Sequence, residues 1–327
     1  MTLAPVIVFN YNRPDHSKQV WDALGRNELA QETELYLYCD GPKVNASDEM
    51  RQRIFSLHDQ AKQYAKDAEK HGTFKAVHVV CAAANKGLAN SVISGVTEVI
   101  NQWGKVIVVE DDLVTAPDYL HYMNVVLDHY EKFPAVFSVT GDRPPIDKMT
   151  IPEDYEYDVF VNLRSWSYGW GTWKDRWMSV DWDLPTFEEY LKRPHQIEAF
   201  SRSGDDVHDM LLMQRNHQID SWAIRFSYAH FINHAVSIMP VHSYITHIGF
   251  DGSGTHCPTI TWHNDAYVHS KDIRLLNVIY EDSRIINAFY NSFCRVKRPW
   301  WQKVINTIYR KLGKPVPFVI KKKIYAG

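Results

Sequence analysis

The segment from Lys105 to Leu113 constrains the fold more than any other stretch of the chain. Its four apolar residues, 106–109, lead directly into three carboxylates, Glu110, Asp111 and Asp112. An apolar, β-branched run that follows a glycine predicts a buried strand of a parallel sheet. The acids would then lie at its carboxyl end, where open α/β sheets bind ligands. Because adjacent carboxylates repel one another, the pattern indicates either a site for a hard metal ion or a solvated acidic turn.

The rest of the N-terminal half predicts strands and helices in alternation. Besides the acidic strand, short apolar runs predict strands at 5–9, 35–39, 75–81 and 135–140. Five strands alternating with helices indicate a doubly wound α/β domain over residues 1–145, a kind of domain that binds nucleotides. After Pro145 the composition changes, and a further region extends over 146–290. The 327 residues suffice for one large domain or two smaller ones.

Polar side chains follow each of the first three predicted strands. Asn10 and Arg13 follow the first strand, and Asp40 follows the second. Lys86 follows the third strand, within an Asn-Lys-Gly sequence that begins a helix and suits a diphosphate. These positions predict contacts with a nucleotide. The alternatives are ordinary capping loops and, for Asp40, a cap on the turn at Gly41.

Three stretches of the C-terminal half are candidates for binding and catalysis. Residues 165–173 hold four aromatic residues and two glycines, a pattern that favours either sugar stacking or a core corner packed with tryptophan. Asp220 lies beside apolar neighbours and is a candidate general base, or alternatively a helix N-cap. The glycine-rich stretch 248–256 could fold over a phosphate, with His256 as a metal contact, or could be an ordinary surface loop.

The last segment of the chain, residues 291–327, is basic although the whole chain has a net charge of −3. Its Lys and Arg residues are interleaved with aromatic and aliphatic ones, which predicts an amphipathic interfacial helix from Pro299 to Leu312 on an anionic membrane. The alternative is a solvated basic tail. Nucleic-acid binding is not expected, since no recognised fold surrounds these charges.

The remaining composition predicts a cytoplasmic protein. No apolar run approaches the roughly 20 residues of a spanning helix, and the N-terminus does not resemble a signal peptide. The four cysteines lack paired spacing, which argues against a zinc framework or disulfide scaffold and is typical of a reducing compartment. They are Cys39, Cys81, Cys257 and Cys294.

The order of these motifs resembles that of GT-A glycosyltransferases. The motifs are Asn-Tyr-Asn-Arg-Pro, a strand ending in Asp40, Asn-Lys-Gly, Val-Val-Glu-Asp-Asp-Leu, Ala-Pro-Asp, Gly-Trp and Asp-Ser-Trp. Most closely they resemble the inverting N-acetylglucosaminyltransferase that acts on mannose in N-glycan synthesis, and its bacterial relatives in polysaccharide gene clusters. The likeness extends from Pro5 to Trp173 and continues as separate motifs to His256. It implies a GT-A, Rossmann-like fold, with a mixed, mostly parallel sheet flanked by helices. In such a fold, region 1–145 would bind the nucleotide sugar, and region 146–290 would be the acceptor-side and catalytic region.

The resemblance also implies roles for individual residues. Asp112 would bind Mn²⁺ or Mg²⁺, with His256 as a further candidate ligand, and Asp220 would be the catalytic base. The eukaryotic enzyme has two adjacent aspartates before the tryptophan, whereas this chain has Asp220 followed by Ser221, so Asp205, Asp206 and Asp209 are reserve candidates. The donor-binding residues would be Asn10, Arg13, Asp40, Lys86, Glu110, Asp111, Gly169 and Trp170.

The function expected from this reading is transfer of a sugar from a UDP-sugar to a hydroxyl of a saccharide acceptor. The resemblance favours N-acetylglucosamine as the sugar, and the basic tail favours a lipid-linked acceptor at the inner face of a bacterial plasma membrane. Such an enzyme would serve in capsule or lipopolysaccharide synthesis. Two alternatives stay open, a metal-dependent hydrolase or nucleotidyltransferase and a non-catalytic sugar-binding subunit.

Overall fold

The computed structural model describes residues 2–145, 147–251, 270–293 and 300–311. The strands are β1 Val6–Asn10, β2 Glu34–Cys39, β3 Ala76–Cys81, β4 Lys105–Glu110, β5 Leu113–Thr115, β6 Val136–Thr140, β7 Val159–Asn162, β8 Trp170–Trp173, β9 Val236–Pro240 and β10 Ile245–His247. The helices are α1 Pro14–Gly25, α2 Asp48–His71, α3 Leu88–Trp103, α4 Tyr119–Tyr130, α5 Lys174–Met178, α6 Phe187–Leu191, α7 Pro194–Ser201, α8 Val207–Arg215, α9 Trp222–Ile232, α10 Ser283–Phe293 and α11 Trp300–Lys311.

Within the described ranges, eight strands form one sheet in the order β3-β2-β1-β4-β8-β6-β9-β7. Strands β3, β2, β1 and β4 are parallel neighbours. Strand β8 runs antiparallel between β4 and β6, so that β6 is again parallel to β4. The carboxyl ends of β1, β2, β4 and β6 therefore lie at one edge of the sheet. The structure confirms the predicted mixed, mostly parallel α/β sheet flanked by helices.

Strand β4 is central because its residues suit burial on both faces. Residues 106–109 are all buried, as expected for a continuous apolar run between two helical layers. Helices α1, α2 and α4 pack on one face of the sheet, and α3, α5 and α9 pack on the other. Only at Glu110, where β4 ends, does the strand become partly exposed.

Local signals set the ends of two long helices. The Ser47 hydroxyl accepts a hydrogen bond from the Met50 amide at 3.2 Å and caps α2. Gly104 adopts the left-handed conformation after α3, with φ +80°, as expected for a C′ glycine. Both signals, a serine before the helix and a glycine after it, are readable from the sequence.

The predicted boundary at residue 145 does not divide the sheet. Strands β7, β8 and β9 come from the region 146–290 and join the strands of region 1–145. The partition into regions stays a prediction. Helix α11 falls within the predicted interfacial helix, although residues 299 and 312 lie outside the described ranges. Of the described helices, none combines the length and the hydropathy needed to cross a membrane.

Candidate functional site

The acid cluster at the end of β4 is joined to the loop after β1 by Arg13. Its Nη2 atom contacts Asp111 and lies 3.0 Å from Oδ2 of Asp112. The Asp111 and Asp112 side chains are only 7% and 16% exposed. The backbone amide of Tyr11 also donates to Asp111, at 3.4 Å. The structure thus brings Arg13 to Asp111 and Asp112, which lie 98 and 99 residues after it in the sequence.

Burial and mutual repulsion change the proton affinity of this cluster. Burial raises the pKa of Glu110, and the charges of Asp112 and Asp111 raise it further. Burial also raises the pKa of Asp111 above its ordinary value, although Arg13 opposes the shift. Burial lowers the pKa of Arg13, but Asp111 and Asp112 more than offset this and raise it overall. The cluster therefore favours bound protons or a further cation over three free negative charges.

Asp40 organises the loop between β3 and α3. Its Oδ1 atom accepts hydrogen bonds from the backbone amides of Gly41 and Lys86, both at 2.9 Å. Its Oδ2 atom accepts one from the Asn85 side chain at 2.8 Å. The predicted turn cap on Gly41 is present, and the same carboxylate reaches across to the predicted diphosphate loop. Asp40 thus positions the Lys86 loop beside the end of β2.

Asn10 is placed in the interior. Its Nδ2 atom donates to the carbonyls of Val8 at 2.8 Å and Tyr38 at 3.2 Å, and its Oδ1 accepts from the Trp21 indole at 3.1 Å. The Asn10 side chain thus links the ends of β1 and β2 to α1. The structure gives Asn10 a packing role, because both of its N–H donors have backbone partners, and its contact with the donor stays a prediction.

The segment that includes β10 covers the acid cluster. Strand β10 pairs antiparallel with β5, and the Ile248 amide donates to the Asp112 carbonyl at 3.0 Å. Gly249 lies against the Asp112 carboxylate, so closely that a Cβ atom there would be 2.1 Å from Oδ2. His16 of α1 contacts the Ile248 carbonyl at 3.2 Å. Only glycine fits at position 249 without displacing Asp112.

A second polar cluster lies at the end of β6 and was not singled out by the sequence. Asp142 is fully buried, and its carboxylate accepts from Trp166 Nε1 at 2.9 Å and from the Ser243 hydroxyl at 2.5 Å. The His247 ring is 3.0 Å from the same carboxylate and is 3% exposed. His247 pairs in register with Leu113, the residue after Asp112. The cluster ties β10 to the sheet edge. The cluster of Asp142, Ser243 and His247 stands out only in the structure, which places it next to the acids after β4.

Asp220 lies near the Lys86 loop. A Cβ atom on Gly87 would be 3.7 Å from Oδ2 of Asp220, and Oδ1 pairs with Arg225 at 3.2 Å. The Asp220 side chain is 57% exposed, so its apolar sequence neighbours do not enclose it. Ser221, not Asp220, caps α9, since its hydroxyl accepts from the Ile224 amide. The alternative interpretation of Asp220 as an N-cap is therefore wrong.

The reserve candidates for the base lie elsewhere. Asp206 is buried and forms an ion pair with Arg164, with two contacts at 3.0 and 3.2 Å. Asp205 precedes the same helix, α8, and Asp209 lies in its first turn. A carboxylate held by a buried guanidinium serves to position α8, which sets Asp206 aside, whereas Asp209 is exposed, as Asp220 is.

The aromatic stretch 165–173 forms core structure. Trp170 is 1% exposed and stacks on Trp222 at a ring-centroid distance of 4.7 Å. Its ring packs in the core on the α3 and α9 side of the sheet, and a contact between Trp170 and the donor stays a prediction. Gly169 has φ +61° and lies against Ile245, whose Cδ1 would be 2.9 Å from an added Cβ. Gly169 therefore lets the backbone pass close to the Ile245 side chain at the edge of the sheet.

The carboxylate oxygens of the acid cluster are suitable ligands for a hard cation. Oxygen ligands favour Mg²⁺ or Mn²⁺, and Mg²⁺ is often held by one or two carboxylates, substrate phosphates and water. No group of three His, Cys, Asp or Glu side chains in the described part of the chain converges to hold a metal ion. Asp112 is the acid that could serve as a single protein ligand, in competition with Arg13. His256 lies outside the described residues.

Comparisons with known proteins give no family assignment. No protein-family model matches the chain, and no curated protein is significantly similar to it. Similar solved structures include that of S. aureus TarS 1-349, with a TM-score of 0.42 and 12% identity over 74% of this chain and 59% of that chain. TarS 1-349 in complex with UDP-GlcNAc has a TM-score of 0.31 and 14% identity, over 46% and 37% of the two chains. The galactosyltransferase LgtC with donor and acceptor sugar analogs has a TM-score of 0.32 and 8% identity, over 57% and 64%. This chain thus spans less than two thirds of each of them, and TM-scores this low assign it no activity.

Proposed function

We propose that the chain is a glycosyltransferase that moves a sugar from a UDP-sugar to a hydroxyl group of a saccharide. The observation that supports this most directly is the cluster of Arg13, Asp111 and Asp112 at the carboxyl edge of the sheet. Open α/β sheets bind ligands at this edge. The resemblance to GT-A enzymes favours N-acetylglucosamine as the transferred group.

The donor would lie between the acid cluster and the Lys86 loop. Arg13 and Lys86 are cations on the loops after β1 and β3, and Asp40 fixes the position of the Lys86 backbone. Asp112 would hold Mn²⁺ or Mg²⁺. That cation, when bound, would neutralise the diphosphate and make it a better leaving group. Glu110 and Asp111 would face the sugar and ribose, as the resemblance implies.

Asp220 would act as the general base. Its carboxylate is exposed, adjoins the glycine that begins α3, and is oriented by Arg225. It would accept the proton of the acceptor hydroxyl while that oxygen attacks the anomeric carbon. A single displacement inverts the configuration at that carbon. Base catalysis of this kind contributes on the order of 10²–10⁴-fold to the rate.

Two substitutions separate donor binding from chemistry. Asp112→Asn should weaken the Mn²⁺-dependent binding of UDP, measured by calorimetry, because the cation loses an anionic ligand. Asp220→Asn should leave that binding unchanged and lower transfer by at least about 100-fold. Asp67→Asn, an exposed aspartate on α2, is the matched control. Near-normal transfer by Asp220→Asn would refute its role as the base, and UDP binding that ignores Mn²⁺ would refute the metal site.

The exposure of Asp220 also supports a second candidate function, hydrolysis of the nucleotide sugar. A solvated carboxylate can activate water as well as a sugar hydroxyl. Product analysis by NMR distinguishes the two reactions, since hydrolysis yields free sugar even when acceptor saccharides are present. Binding of saccharide without UDP or Mn²⁺, and without turnover, would instead favour a non-catalytic sugar-binding subunit.

Helix α11 supports a location at a membrane surface. Trp301, Val304, Ile308 and Tyr309 recur at helical spacing and are 37–49% exposed. The sequence from 295 to 323 adds ten Lys and Arg residues. Each basic residue near an anionic surface contributes about 1 kcal/mol. The acceptor would then be lipid-linked, at the inner face of a bacterial plasma membrane, in capsule or lipopolysaccharide synthesis.

Vesicle co-sedimentation tests this location. The full chain should bind vesicles that contain anionic lipid, and a chain ending at Ser292 should not. The double variant Trp301→Ala and Ile308→Ala keeps every charge and should bind more weakly, because burial of the apolar face contributes to interfacial binding. Equal binding by all three proteins would exclude the tail as the membrane contact.

A further inference from the structure

Two cysteines that are far apart in the sequence lie side by side at the ends of β2 and β3. Cys39 and Cys81 are register partners in the parallel pair, so their side chains point to the same face of the sheet. Neighbouring strands lie about 4.8 Å apart, within the range of roughly 4.4–6.8 Å between the Cα atoms of disulfide-bonded residues. The Cys39 thiol donates to the carbonyl of Leu37 on its own strand, at 4.0 Å, and both cysteines are free thiols.

The two thiols differ in exposure and in charge environment. Cys39 is 1% exposed, whereas Cys81 is half-buried. The neighbouring Cys39 lowers the pKa of Cys81, and His58 and Lys62 on α2 lower it further, against the effect of burial. The neighbouring Cys81 and burial raise the pKa of Cys39. Cys81 is therefore the accessible, more acidic thiol, and Cys39 is the protected one behind it.

The two cysteines adjoin the loop around Lys86 that Asp40 holds in place. Cys39 directly precedes Asp40. The Cys39 carbonyl accepts a hydrogen bond at 2.9 Å from the amide of Ala82, which is the residue after Cys81. His58 contacts the Asp40 carbonyl at 3.0 Å, and the Asp40 carboxylate accepts from the Lys86 amide. A bond between the sulfurs would shorten their separation to about 2.05 Å. The loops that follow both strands would have to shift with it.

We propose that Cys39 and Cys81 are a redox-sensitive thiol pair that closes to a disulfide in the presence of a low-molecular-weight disulfide. The Cys81 thiolate attacks one sulfur of oxidised glutathione and expels one glutathione thiolate. Cys39 then loses its proton and attacks the Cys81 sulfur of the mixed disulfide, which expels the second glutathione. Two protein thiols are oxidised, one glutathione disulfide is reduced to two thiols, and the protons pass to the released thiolates.

Mass spectrometry tests the pair. In a chain that carries Cys257→Ser and Cys294→Ser, oxidised glutathione should remove about 2 Da and link the two peptides, reversibly with dithiothreitol. Adding Cys39→Ser should leave a stable glutathione adduct on Cys81, because the resolving thiol is missing. Adding Cys81→Ser should leave Cys39 unmodified, because it is buried. The absence of the linked peptide, or equal reaction of the two single thiols, would overturn the proposal.

A consequence for the site rests on the proposed nucleotide-sugar function. Disulfide formation should weaken UDP binding by at least about tenfold, or 1.4 kcal/mol, because Asp40 and the Lys86 amide are displaced. A variant with Cys39→Ser and Cys81→Ser should bind UDP equally before and after oxidation. Unchanged affinity of the oxidised protein would overturn this coupling. Failure of the reduced protein to bind UDP would count against the proposed function, while the mass measurement would still decide the disulfide.

Discussion

Replacing Arg13 by methionine tests how the acid cluster is stabilised. The change removes the positive charge that contacts Asp111 and Asp112 and keeps most of the side-chain length. Removal of one partner from a buried ion pair costs about 3–5 kcal/mol. Since the Arg13 side chain is 17% exposed and the carboxyl groups can take up protons, we expect a loss of about 2–3 kcal/mol in the free energy of unfolding.

The loss should depend on pH in a defined direction. The folded protein raises the pKa values of Glu110 and Asp111, so the native state holds protons that the unfolded chain has already released. The stability that these groups contribute is complete below about pH 4, the pKa of an unfolded carboxyl group, and falls as pH rises through their folded pKa values. Without Arg13 these pKa values rise further. The Arg13→Met protein should therefore lose more stability at pH 8 than at pH 5.

Equilibrium urea unfolding at pH 5 and pH 8 measures this difference. Arg53→Met is the matched control, since Arg53 pairs with Glu49 on the surface of α2 and is 50% exposed. The control should lose less than about 1 kcal/mol at either pH. If Arg13→Met were no more destabilised than Arg53→Met, or equally destabilised at both pH values, the account of a buried, mutually repelling cluster would be refuted.

Two further predictions concern the surroundings of the site. Gly169→Ala should cost about 2–4 kcal/mol, because φ is +61° and the added Cβ would meet Ile245, whereas Gly72→Ala, with φ +63° and open space around it, should cost about 1 kcal/mol. Equal thermal shifts for the two glycine variants would contradict the packing argument. Asp142→Asn should cost about 3 kcal/mol, because the buried carboxylate accepts from three donors, while Asp158→Asn in a more exposed pair should cost less than about 1 kcal/mol. Similar melting temperatures for the Asp142→Asn and Asp158→Asn proteins would contradict the role given to the buried carboxylate.

Much of the candidate site could be anticipated because its residues follow strands. The end of a buried apolar run is readable from the sequence, and polar residues at such ends converge at one edge of a parallel sheet. Arg13, Asp111 and Asp112 do converge there. The side chains of Asn10 and Trp170 instead face the core. Asn10 donates to a backbone carbonyl, and Trp170 stacks on another aromatic ring. A local pattern does not distinguish a side chain that faces a ligand from one that faces the core.

The sequence by itself determined the acidic strand β4, the alternation of strands and helices before it, and the ends of α2 and α3. These features depend on periodicity, capping and glycine conformation within a few residues. Only the tertiary structure decided that β8 is inserted between β4 and β6, that His247 meets Asp142, and that Cys39 adjoins Cys81. Such pairings join residues from 42 to 105 positions apart. They depend on which strands become neighbours, and that depends on packing of the whole sheet rather than on any local segment.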